Sequence, residues 1–419
     1  MHVYLNNINC VMLISDYSNE QKVDNYFFIF QILALIFGVV FYDFLGFKPT
    51  DELLAFFLVL VFVFNVLSFK ASRVKPIFFI GFVSVFYLLY SFSIKSNESI
   101  AIVSDYVTQV KPFLGFFCVY SIAPVLSDYQ SKILRRICFF VFIYMFIVGI
   151  QGESAIYEYF GHVSRFATCS VALSLTYLVN SEFSRKNIII SILLCAVGLF
   201  SGRAKLFGFM TAYIFLLYWF YQYGRLKFSL KSIIYFLFAS IAVLVVSWEK
   251  INYYFYEGMF EEEHSFARPM LYITSLDIFK DYFPFGSGFA SFATNFSAEY
   301  YSSIYEMYDL DMIWGLSPDY PNFIADSFYP SLAQFGVVGV VLFVSFFIYI
   351  IKSIPSVSLF QDDKYKRYLI TIYSGVVFFI IECTTDTTFT HNRGFYILVL
   401  MGLSLAALKK LAKNSDEPE

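Results

Sequence analysis

Charged side chains are scarce in this chain: only 15% of its 419 residues are Asp, Glu, Lys or Arg, where soluble domains carry about a quarter. Apolar residues make up 59%, including 55 Phe and 34 Tyr. Too little polar surface remains to wrap a globular core, which excludes a water-soluble enzyme and a disordered chain. Neither sign of charge is in excess, since 29 basic and 32 acidic residues give −3, so there is no electrostatic footprint for a nucleic acid. The cysteines (Cys10, Cys118, Cys138, Cys169, Cys195, Cys383) stand far apart without a C-x-x-C pair. They read as small core residues and not as a disulfide framework. His162, His264 and His391 have no second His, Cys or carboxylate at ligand spacing, so no metal and no cofactor is expected. No internal repeat and no long central loop divides the chain, which counts against a transporter built from two similar halves. No basic segment precedes Asp16, so no cleavable signal peptide is expected.

Long uncharged runs are what the chain does have. They occur at Tyr26–Tyr42, Leu53–Phe69, Pro76–Ile94, Pro112–Leu126, Ile137–Gly152, Phe166–Ser181, Asn187–Gly202, Leu206–Gly224, Ser232–Trp248, Ser327–Ile351, Tyr368–Ile381 and Gly394–Leu408. Each meets or approaches the roughly 20 apolar residues a helix needs to cross a bilayer. None alternates with the period of two that a membrane barrel strand requires. The expected fold is an all-α polytopic membrane protein of about twelve spans. Lys and Arg collect on alternate connections, 19 of the 29 on one side, which predicts both termini in the cytoplasm.

One connection stands apart. Residues 249–326, between the ninth and tenth spans, hold thirteen acidic and three basic residues. The chain therefore divides into spans one to nine (1–248), a long outer loop with short helices lying on the membrane surface (249–326), and spans ten to twelve with a tail (327–419). Unrepetitive loops of this length are usually functional.

The informative residues are cations on the outer side, where the charge rule disfavours them. Arg203 and Lys205 share the tight turn Ser201-Gly202-Arg203-Ala204-Lys205; Arg165 opens the sixth span, Arg393 precedes the twelfth, and Arg268 lies in the loop. An anionic ligand would favour them there, since a guanidinium fork grips phosphate oxygens with two donors. Snorkelling or pairing with outer acids is the plainer reading of any single one. Asp105 and Lys111 lie in or near the fourth span, where cavity and structural roles are equally open. Asp326 ends the loop at the membrane edge, with Glu382 and Asp386 at a similar depth. Asp309-Leu310-Asp311 is the one pair that could hold a divalent ion, and a loop so rich in acids produces such pairs by chance. In Pro284-Phe285-Gly286-Ser287-Gly288-Phe289 the glycines would let backbone approach a ligand closely.

Three pieces, in order, resemble the Wzy-type O-antigen polymerases and the related O-antigen ligases. They are Phe200-Ser201-Gly202-Arg203-Ala204-Lys205; Arg268 followed by Asp277-Ile278-Phe279 and the Pro284–Phe289 stretch; and Ala325-Asp326-Ser327-Phe328-Tyr329 leading to Leu332 and Gln334-Phe335-Gly336-Val337-Val338-Gly339. The resemblance covers about Phe200 to Val340. It implies a GT-C-like, metal-independent glycosyltransferase in a bacterial inner membrane. Such an enzyme polymerises oligosaccharide repeat units carried on undecaprenyl diphosphate, on the periplasmic face. Donor and acceptor would both be lipid-linked, membrane lipid would surround the chain, and a chain-length regulator protein is a partner that such systems use. Matching positions give Arg203 and Arg268 as pyrophosphate binders, with Lys205, Arg165 and Arg393 as further cations. Asp326 stands where the ligases place a His-Asn pair, which leaves the base open among Asp326, His264 and His391. The competing readings are an O-antigen ligase, and a flippase or transporter for lipid-linked oligosaccharides. A flippase would distribute charge along a central cavity, and here the charges collect at one face.

Overall fold

The computed structural model describes residues 21–47, 49–68, 74–224, 266–355 and 363–416. The expected ninth span, the first part of the long loop with His264, and Cys10 lie outside them. Among the described residues there is no strand, and seven helices are long and apolar enough to cross a membrane. They are α1 (Gln21–Val40), α2 (Thr50–Ser68), α3 (Lys75–Ile94), α5 (Asp128–Gln151), α9 (Ala204–Tyr223), α13 (Phe328–Lys352) and the long final helix α15 (Asn392–Asp416). The short helix α6 (Glu153–Phe160) follows α5, and four more helices occupy expected spans and fall short by length, charge or mean hydropathy. They are α4 (Ser99–Ile122), α7 (Val163–Val179), α8 (Arg185–Ala196, continued by a 3₁₀ turn to Ser201) and α14 (Asp363–Glu382).

Local sequence explains where these helices start and stop. At α5, Ser127 Oγ accepts from the Gln130 backbone at 3.2 Å while Gln130 Oε1 accepts from the Ser127 backbone at 2.9 Å. This reciprocal cap satisfies two orphan donors. The 3₁₀ turn after α8 ends on Gly202 at φ 61, and the following residue, Arg203, caps α9. α7 is buried along almost its whole length. Its Ser and Thr residues let neighbours approach closely and bond across helices, as in the Ser174–Ser191–Tyr213 cluster joining α7, α8 and α9. α15 packs on α4, α14 and α7 at the centre. α3 lies at the edge, with Phe78, Phe79 and Phe82 exposed, as expected for side chains that meet lipid tails.

The fourth span differs from the sequence expectation. Its helix begins at Ser99, well before Pro112, so Asp105 and Lys111 are both inside it and both buried. Asp105 accepts from the backbone of Ala290 at 2.8 Å, and Lys111 is paired with Asp51 and, at 2.8 Å, with Glu52. Both groups therefore have protein partners. The loop covers the face of the outer half of α4 that carries Asp105, while Ile100, Val103 and Val107 on the other side stay exposed.

That loop is a cap with its own core. It carries α10 (Ala267–Asp281), α11 (Asn295–Glu299) and α12 (Ser303–Met307). Leu271, Ile278, Phe292, Tyr305, Leu310 and Leu316 bury one another there, which is more than short helices lying flat on a surface would do. The glycines of the Pro284–Phe289 stretch serve this docking. A Cβ on Gly286 would strike the backbone of Ala333, Gln334 and Gly336, and one on Gly288 would strike Ser91 and Ser96. Gly288 N–H donates to the Gln334 carbonyl at 2.8 Å, Phe289 N–H to Ser91 Oγ at 2.8 Å, and Tyr90 Oη to the Gly286 carbonyl at 2.8 Å.

Candidate active site

Beneath the cap, the ends of several helices surround a polar cavity of about 270 Å³. Arg165 of α7, Arg393 of α15, Asp326 before α13, and Asp386 and His391 between α14 and α15 line it. Together with His162, six of the outer residues singled out in the sequence, scattered over more than 200 positions, thus share one space.

Arg165 and Arg393 both hold Asp43, in the turn after α1, with Nη1 of the first 2.5 Å from Oδ1 and Nη2 of the second 2.6 Å from Oδ2. Arg393 is 3% exposed and Arg165 42%. The first is a buried fixture and the second a group that still meets the cavity. His391 Nε2 is 3.0 Å from Thr387 Oγ1, and His162 Nδ1 is 2.7 Å from Ser164 Oγ. Burial pushes the His391 imidazole down to about 4 against attraction from Asp386, so it is neutral at pH 7. Burial opposes ionisation of Asp386 too, but Lys205, His391 and the hydroxyls of Thr388 and Ser164 outweigh it and hold that carboxyl at about 2. Burial raises the Asp326 carboxyl above its ordinary value despite the pull of Arg268.

The two arginines that the resemblance ranks first do not line the cavity. Arg268 gives a guanidinium nitrogen to Asp326 Oδ2. Asp326 Oδ1 has no hydrogen-bond partner among the described residues, although Asp326 itself lines the cavity. Lys205 is 2.7 Å from Glu382 and also reaches the Glu382 and Thr385 carbonyls. Arg203 is half-buried at the start of α9, and its charge is felt by His162 and Glu382. No carboxylate lies within ion-pair distance of it among the described residues. Lys205 and Arg268 thus reach the cavity only through its surroundings, Lys205 by its effect on Asp386 and Arg268 by its contact with Asp326. His264 lies outside the described residues.

Sequence reasoning passed over Asp43, which no neighbour marks as special. A usable signal was present in Thr384-Thr385-Asp386-Thr387-Thr388-Phe389-Thr390-His391-Asn392-Arg393, a dense polar run between two apolar spans.

A second cavity, about 510 Å³ and almost wholly apolar, lies between α3, α4 and α13. It runs from Lys75 to Tyr87 along α3, about 18 Å at 1.5 Å per residue. Phe113, Phe117, Phe328, Phe343 and Phe346 line it; Phe113 and Phe346 meet edge to face at 5.1 Å. A small pocket of about 10 Å³ lies between the two spaces, sharing Gln109 and Phe328 with the lining of the apolar groove and Asn295 and Thr387 with that of the polar cavity. Thr108 lines this small pocket. Pro112, four residues on, has no N–H to offer, so the Thr108 carbonyl lacks its helical partner there.

No family model, no curated protein and no solved structure matches the chain.

Proposed function

We propose that the protein is a membrane glycosyltransferase that extends a polysaccharide from one polyprenyl-diphosphate carrier to the next, as O-antigen polymerases do, in a bacterial inner membrane with the cap on the periplasmic side. One observation carries the reading: a long apolar groove and a cavity that holds cations and carboxylates together lie on either side of a small polar pocket whose lining residues belong to both. A ligand matched to that pair of spaces has a hydrocarbon tail, a phosphate-rich joint and a hydroxylated head. A lipid-linked sugar has all three.

The chemistry follows from the groups present. The acceptor hydroxyl oxygen attacks the anomeric carbon of the donor sugar, and the bond from that carbon to the diphosphate breaks. The electron pair leaves on the diphosphate oxygen, where Arg165 and Arg393 stabilise the growing charge. Asp326 Oδ1 takes the hydroxyl proton, its raised affinity for a proton bringing it nearer to working pH than an ordinary carboxylate. His391, neutral and oriented by Thr387, positions the acceptor hydroxyl.

The test is polymer formation by purified protein from lipid-linked repeat units. Chain growth is expected to survive EDTA. Asp326→Asn and Arg165→Gln should each lower it about a hundredfold, the usual effect of losing one group at developing charge. Arg268→Gln should act through Asp326, so that adding it to Asp326→Asn costs little more. Full activity in Asp326→Asn at normal expression removes this reading.

A further inference from the structure

At the opposite end of the bundle, a third cavity of about 480 Å³ opens between α5, α14 and α15, closed at the side by the connections after α4 and α7. Arg135, Lys364, Arg367 and Lys410 line it against only two acids, Asp128 and Glu182. The contrast with the capped end is in the pairing. There most cations already hold a carboxylate. Here Arg135, Arg367 and Lys410 have no carboxylate within ion-pair distance among the described residues.

Arg367 is fixed in place without being neutralised. Its Nη1 donates to the Ser181 carbonyl at 2.7 Å and its Nη2 to Tyr368 Oη at 3.0 Å, and its guanidinium lies 4.7 Å from the centre of the Tyr368 ring. Its Nε is buried and has no hydrogen-bond partner among the described residues. The floor is apolar, formed by Leu126, Val179, Leu403 and Leu411. Tyr129, in the turn of α5 that carries Asp128, is 72% exposed, as aromatic residues are where helices leave the hydrocarbon. A cationic recess with an apolar floor at that level fits a phosphate with hydrocarbon attached.

We infer that this recess binds the phosphodiester headgroup of an anionic phospholipid, with Arg135 and Arg367 on the phosphate and Lys410 at its rim. The inference needs the bundle to lie in a membrane and does not depend on the chemistry at the capped end.

The experiment counts lipids retained by the full-length detergent-purified protein in native mass spectrometry, after mixing with phosphatidylglycerol or phosphatidylcholine. Phosphatidylglycerol should be retained in preference. Arg135→Gln and Lys410→Gln should each lower that retention about fivefold, the value of one cation at a membrane surface. Neither side chain holds the fold together, and Arg367→Lys keeps the charge while losing the fork. Equal retention of the two lipids overturns the proposal, as does undiminished retention of phosphatidylglycerol by Arg135→Gln. Displacement of the lipid by millimolar inorganic phosphate alone would make this a soluble-phosphate site and overturn the lipid assignment.

Discussion

Arg165 and Arg393, 228 positions apart, meet on the two oxygens of a single carboxylate, Asp43. One acid from the end of α1 therefore sets the position of two cations carried by α7 and α15. The two arginines differ in burial, and this separates the expected effects. Asp43→Ala leaves Arg393 buried without a counter-charge, which costs on the order of 3–5 kcal/mol. Arg165→Gln removes the half-exposed partner and costs about 0–1 kcal/mol in stability, so its damage should fall on activity. Thermal unfolding in detergent, read beside chain growth, distinguishes the two.

His391 gives the second prediction. Its folded value of about 4 lies below the ordinary 6.5, so the unfolded chain takes up the proton first. The stabilisation is whole above about 6.5 and is lost as pH falls towards 4. Wild type should lose melting temperature on going from neutral to about pH 5, and His391→Gln should lose less. Parallel pH dependence in the two proteins would refute the assignment.

The third concerns the seam between cap and bundle. Gly286 has φ +81 and lies against the backbone of Ala333, Gln334 and Gly336, while Gly336 (φ +59) lies against Pro284 and Gly286. Alanine at either position meets both a disfavoured backbone angle and a wall that no rotamer can avoid, a combination costing about 2 kcal/mol or more. Limited proteolysis should cut the cap faster in Gly286→Ala and Gly336→Ala, while Gly81→Ala, in the helix α3 where a Cβ would meet nothing within 4 Å and the backbone angle is ordinary, should behave like wild type.

Topology gives the fourth. All five described cysteines are buried, so with Cys10 replaced by Ser the background of thiol labelling is low. Asp319 on the cap and Asn414 at the end of α15 are both exposed. In intact spheroplasts an impermeant maleimide should label Asp319→Cys and spare Asn414→Cys. The reverse pattern would place the cap in the cytoplasm.

The apolar runs made the helices legible because a span is written in consecutive residues. Even so, α4 was misplaced by about three turns, since Asp105 and Lys111 look foreign to a span until the cap that covers them is seen. Arg165, Arg393, Asp326 and His391 were recognisable as cations or possible bases at one face. Their relative importance was not recognisable, because it depends on which of them a carboxylate already occupies. Asp43 was invisible for the same reason: a lone acid after a hydrophobic run acquires meaning only from the two arginines that fold onto it. The glycines of Pro284–Phe289 announce closeness of backbone in the sequence, but that the Ala333–Gly336 backbone and the side chains of Ser91 and Ser96 are what they lie against follows only from how the cap docks.

The pairing of charges under the cap has a consequence for how any substrate arrives. Arg165, Arg203, Lys205, Arg268 and Arg393 face Asp43, Asp326, Glu382 and Asp386, so opposite charges nearly cancel over the cluster. Such a cluster casts little field beyond a Debye length of about 8 Å. It cannot draw anions from bulk solution as an uncompensated basic funnel does. For the lipid-linked substrate proposed above, delivery would fall instead to lateral diffusion within the lipid sheet, with an encounter rate set by the surface density of carrier molecules and hardly at all by the ionic strength of the medium.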